Sequence, residues 1–252
     1  MEIIYTRIRQ RARQIVSQYP SPDFYQDHSH ANELSLQYLE TNPLTEKLRS
    51  FVAEQVEDDF GHGIKHALKV AIDAGALMII ENKLAGRSDN FINQRVIIVH
   101  CAGLLHDIQR RHEEHAVKGA VYARQVLKVF PFKSHEVDDI CRAIRNHEAF
   151  KKTVKASTPE GALVSDCLYD ADKFRWGPDN FTDTVWAMVS FFNIPVAQFV
   201  DLYPVGMEKL AKIKHTFRTD TGKKYGPQFV DLGLAIGETL FDVIQTEFAD
   251  LL

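Results

Sequence analysis

The chain has 252 residues, of which 45% are apolar and 25% charged, and a formal net charge of −4. This length and composition fit one large soluble domain, or one domain with helical additions. They exclude a global basic field for nucleic acid or anionic lipid, and no apolar run approaches the roughly 20 residues that cross a bilayer. The opening stretch from Met1 to Arg13 is amphipathic and charged, without a signal-peptide core. Cys101, Cys141 and Cys167 lie far apart within apolar helical patterns and read as buried, reduced thiols, which points to the cytoplasm.

In chain order, a period of 3.6 residues predicts helices at roughly 2–18, 32–41, 44–58, 62–83, 91–108, 115–130, 134–149, 160–175, 181–191, 195–202, 205–216 and 228–250. Alternating strand patterns are almost absent. Pro20-Ser21-Pro22, the run from Gly86 to Asn90, Pro131, Ser157-Thr158-Pro159 and Gly177-Pro178-Asp179 punctuate the helices. Ser134 ahead of Glu136 and Thr158-Pro159-Glu160 mark helix starts. Residues 218–227 read as the most polar loop, a cover for a site or a plain connection. The expected fold is therefore all-α, as a single domain over 1–252.

The segment 92–107 is apolar nearly all round and ends in His106-Asp107. Such a helix belongs at the centre, where an imidazole and a carboxylate are costly unless partners or a metal satisfy them. His66 follows His62 by one turn, with Asp59 and Asp73 on the same stripe. His115 heads a stripe through Gly119, Tyr122 and Val126, and His147 continues the stripe of Val137, Ile140 and Ile144. A single histidine on an apolar face is usually a satisfied core residue, and spacing alone does not show that these faces converge. His28 and His30, in an early polar stretch, read as surface residues.

The anchors His66-Ala-Leu-Lys-Val-Ala, Ala-Gly-Leu-Leu-His106-Asp107-Ile, His115-Ala-Val-Lys-Gly-Ala, Arg-Asn-His147-Glu and Tyr-Asp-Ala-Asp172-Lys-Phe appear in that order. In order and flanking residues they resemble the HD-domain superfamily of metal-dependent phosphohydrolases. The resemblance runs from about 60 to 177, with helical extensions at 1–58 and 180–252 that match no element of it. It implies an HD-like helical bundle in which His66, His106, Asp107 and Asp172 bind one metal, and His115 and His147 a second. Asp170 competes with Asp172 for the last ligand role. Two residues apart on a helix, they point about 160° from each other. Leu168 and Trp176, one turn to either side of Asp172, favour it as the enclosed carboxylate and leave Asp170 for solvent or a supporting hydrogen bond. Arg110 stands where nucleotidase relatives carry a glutamate, so Glu113, Glu114 or Glu148 would have to supply any acid or base.

Imidazoles with carboxylates suit one or two divalent ions among Mn, Fe, Co, Ni and Zn, with too many nitrogens for magnesium alone. Asp107 fits a ligand that also orients the nucleophile. Of the nearby cations Arg110, Arg111, Lys118, Lys173, Arg175, Lys223 and Lys224, the first choice for substrate phosphate is Arg110 with Lys173, because ligand-bearing segments carry them. The leading expectation is a phosphomonoesterase or phosphodiesterase for a nucleotide or other small phosphate ester. The alternatives are an HD-type di-iron oxygenase and a non-catalytic sensor or binding module.

Overall fold

The computed structural model describes residues 2–55 and 63–251. Asp59 and His62 lie outside the described residues. Among those described there is no strand, and twelve α-helices follow one another. They are α1 (Glu2–Val16), α2 (Asp23–Asp27), α3 (Ser29–Thr41), α4 (Pro43–Gln55), α5 (Ile64–Leu84), α6 (Asp89–Leu105), α7 (His115–Val126), α8 (Ser134–Arg145), α9 (Pro159–Phe174), α10 (Val185–Phe191), α11 (Val196–Ile213) and α12 (Asp220–Glu247). A π-helical turn, Asn180–Thr184, precedes α10. No described helix is long and apolar enough to cross a membrane.

The centre is the α5–α6 pair. Ile92, Val96, Ile98, Val99, Ala102, Leu104 and Leu105 of α6 are all buried, as the unbroken apolar pattern requires. The two helices cross closely at Gly103, where a Cβ would sit 2.7 Å from Ala71 Cα. α3 and α9 pack on α5, α8 packs on α6, and α7 packs on α8. α12 lies against α9, α11 and α1, so both extensions close over the end of the core helices.

Two predicted boundaries are corrected. Residues 195–216, expected as two helices, form one, α11, with Pro204 inside it. Pro204 is exposed, so the helical bond it removes lies on the wet side, while buried Tyr203 ties the helix to α12 by donating to Gly237 O at 2.8 Å. Residues 218–227 are not a loop, because α12 begins at Asp220. Gly222 and Gly226 look like breakers in sequence. In space they admit neighbours: a Cβ at Gly222 would lie 2.0 Å from Asp170 Oδ2, and one at Gly226 2.4 Å from the Phe217 ring. Tertiary packing overrides their low helix propensity. The sequence reading also passed over α2 and began α3 three residues late.

Candidate metal centre

Five segments bring the chemistry together. His66 lies in the first turn of α5, and His106-Asp107 form the turn that ends α6. His115 opens α7, and Asp172 occupies the last turn of α9. The link from Asp107 to His115 is short, and it reverses through Glu114 in the left-handed region at φ 54°. α7 then returns so closely that a Cβ on Gly119 would be 3.4 Å from His106 O. His147 was expected inside a helix to 149, but α8 ends at Arg145. Asn146 holds the following loop, donating to Val154 O at 2.9 Å and accepting from Val154 N at 2.8 Å, and His147 projects inward from that corner.

The donor atoms fall into two sets that share Asp107. In the first, His66 Nε2 lies 3.3 Å from His106 Nε2, 3.4 Å from Asp172 Oδ1 and 4.0 Å from Asp107 Oδ2. His106 Nε2 lies 3.5 Å from Asp107 Oδ2 and 3.7 Å from Asp172 Oδ1. In the second, Asp107 Oδ1 lies 3.5 Å from His115 Nε2 and 3.4 Å from His147 Nε2, and the two imidazole nitrogens are 3.3 Å apart. Ligand bonds of about 2.0–2.2 Å place neighbouring donors roughly 2.8–3.6 Å apart and opposite ones about 4.0–4.4 Å apart. Both sets fit an ion on that measure. Two trios could each hold an ion, His66 with His106 and Asp107, and Asp107 with His115 and His147; Asp172 joins the first through the two histidines.

The tautomers agree with this use. A carbonyl oxygen only accepts, so His106 Nδ1, 2.8 Å from Gly103 O, and His147 Nδ1, 2.6 Å from Ile144 O, carry the ring protons. Each Nε2 then offers its lone pair inward, the arrangement that orients a metal-binding histidine. Burial lowers the His106 pKa to about 3 against the opposing pull of Asp107 and Asp172. Burial likewise lowers His115 to about 4, partly offset by Asp107 and reinforced by Arg110. Burial pushes Asp172 upward, but Lys173 and the two histidines outweigh it and hold the carboxyl well below its usual range.

The expected phosphate-binding cations divide. Arg110 Nη1 lies 2.9 Å from His115 Nε2 and remains about one-third exposed. Lys173 is buried, with its ammonium on Asp172 Oδ2 and 5.2 Å from the centre of the Tyr169 ring. Arg175 and Asp73 do not join either set. Arg175 pairs with Asp73 and Asp179 and donates to Tyr25 Oη at 2.6 Å, welding α2, α5 and α9 together. Lys223 and Lys224 lie on α12 and contact Asp220 and the Tyr225 hydroxyl. Glu148 Oε1 is 3.9 Å from His115 Nδ1, whereas Glu113 and Glu114 are exposed.

Asp170 is fully buried, which removes the expectation that it could face solvent. It accepts from Arg218 N and Thr219 N at 2.8 Å each and from Thr219 Oγ1 at 2.7 Å. Burial raises its pKa to about 6 in spite of these bonds. The two carboxylates of α9 thus serve opposite sides, Asp172 the histidines and Asp170 the start of α12. Sequence reasoning missed Arg218, which stacks 3.5 Å from the centre of the Tyr169 ring and donates to Asn146 O beside His147. It lay in the segment misread as a loop.

Residues 63–175 match the model of the HD domain family. Among solved structures, a predicted HD superfamily hydrolase from an uncultured Thermotogales bacterium is similar at 23% identity and a TM-score of 0.48, covering 85% of this chain and 98% of that one. No curated protein matches.

Proposed function

We propose that the chain is a metal-dependent phosphohydrolase for a nucleotide or another small phosphate ester. The observation that carries this reading is the pair of donor sets sharing Asp107, with Arg110 beside them. A divalent ion held by His66, His106, Asp107 and Asp172 would supply bound water of lowered pKa as the nucleophile. Asp107 accepts a hydrogen bond from that nucleophile and orients it. Lys173 keeps Asp172 ionised at neutral pH and adds positive charge at the base of the site. Arg110, on leaving His115, would donate to the phosphoryl oxygens, in the planar geometry that suits them.

A cleft near the first donor set would be the place for the substrate's organic part. This cleft, of about 580 Å³, runs between the N-terminal helices and the core, lined by Tyr19, Tyr25, Leu36, Lys69 and Ile72. Lys69 is one turn beyond His66 on α5, and Phe174 and Arg175, also on the cleft wall, follow closely after Asp172. Protein freed of metal and reloaded singly with Mn, Fe, Co, Ni or Zn should hydrolyse members of a panel of nucleotides, phosphomonoesters and phosphodiesters. Turnover that is indifferent to the metal, or absent with every metal and ester class, contradicts the reading.

A further inference from the structure

The two donor sets differ in what stands beside them. Arg110 Nη1 is 2.9 Å from His115 Nε2 and 3.8 Å from Asp107 Oδ1, two of the three donor atoms of the second set. The third, His147 Nε2, is 3.3 Å from His115 Nε2. A guanidinium nitrogen therefore donates to His115 Nε2, one of the three atoms a second ion would need, and stands near a second, Asp107 Oδ1. A neutral imidazole nitrogen has one lone pair and cannot accept from Arg110 and bind an ion at once. At the first set the buried cation Lys173 takes Oδ2 of Asp172, while Oδ1 faces His66 at 3.4 Å. An ion can enter there without displacing Lys173.

We infer that Arg110 is a resident cation at the second position, so that the two positions fill unequally and the second fills only as Arg110 withdraws. This rests on the metal-centre reading above and goes beyond it. The side chain is about one-third exposed, so it has a path into solvent. Once displaced, its donors face outward and suit a phosphate. An ion at the second position and a phosphate on Arg110 then favour one another, and by linkage each tightens the other by the same factor.

The test is titration of metal-free protein with Mn²⁺, following bound ion by equilibrium dialysis and by the spin-resonance signal of free Mn²⁺. The wild type should bind one equivalent tightly and a second at least about tenfold more weakly. Arg110→Met should tighten the second by about tenfold or more and leave the first unchanged, and Arg110→Ala should reproduce the shift. Inorganic phosphate should tighten the second equivalent in the wild type and have no such effect in Arg110→Met. Two equivalents of equal affinity in the wild type, or an unchanged second affinity in both variants, overturn the inference while leaving the metal centre standing. Failure of every form to bind even one equivalent removes the metal centre itself, and this inference with it.

Discussion

Both donor sets come from helix ends and turns, but the first sits on the central helices α5, α6 and α9, whereas the second draws on α7 and the corner after α8. His66, His106 and Asp172 come from α5, α6 and α9, the central helices, and all three are buried. His115 follows a left-handed residue, His147 follows a loop corner, and His115 is only partly buried. Asp107 gives one oxygen to each. One carboxylate thus belongs to both sets, and Arg110 stands beside only the second.

Removing the shared member should have the largest effect. Asp107→Ala should abolish metal-dependent turnover, by about a thousandfold or more, while circular dichroism still reports a folded helical protein. Wild-type activity in metal-defined buffer would remove Asp107 from the mechanism.

The sets can next be separated. His115→Ala and His147→Ala should each lose the second equivalent of bound metal and retain the first. Unchanged stoichiometry with a lower melting temperature would return both histidines to a packing role.

A third contrast lies within α9. Asp172→Asn should weaken the first equivalent. Asp170→Ala should leave metal binding intact but cost about 2–4 kcal/mol in denaturant unfolding, because two buried backbone amides and the Thr219 hydroxyl lose their acceptor. Loss of metal in Asp170→Ala without loss of stability would reverse the two roles.

The metal-free protein should also respond to pH. His100 and His106 are lowered by burial to about 3, so they stay neutral in the folded chain while their unfolded counterparts take up protons near pH 6.5. The unfolded state then binds more protons, and stability falls as pH drops from 7 to 5, by about 1 kcal/mol per pH unit for each of these two histidines. His115, lowered to about 4, acts in the same direction. Asp170, raised to about 6, opposes it with a single proton taken up by the folded state. Urea unfolding at pH 7 and pH 5 checks the sign; equal or greater stability at pH 5 contradicts it.

Much of this was legible in the sequence, for physical reasons. The apolar run of α6 ending in His106-Asp107 could be satisfied only at the centre of a helical core, and the order of the anchors carried the rest of the donor sets. The resemblance implied Asp172, the flanking Leu168 and Trp176 favoured it over Asp170, and the structure places it beside His66 and His106. What could not be read depended on contacts between distant segments. Gly222 and Gly226 signal a turn until Asp170 and Phe217 are seen against them. Arg110 shows only a charge near a ligand; its contact with His115 depends on the turn at Glu114. Lys173 read as a substrate-phosphate contact because sequence does not reveal that it folds back on its neighbour Asp172.

The most direct test of the central claim is the anomalous-difference map of crystals equilibrated with Mn²⁺. The account predicts a peak bonded at about 2.0–2.2 Å to His66 Nε2, His106 Nε2, Asp107 and Asp172. It also predicts a second peak among Asp107, His115 and His147 that strengthens when Arg110 is replaced by Met. A map with no peak between His66 and His106, from crystals of folded wild-type protein, would contradict it.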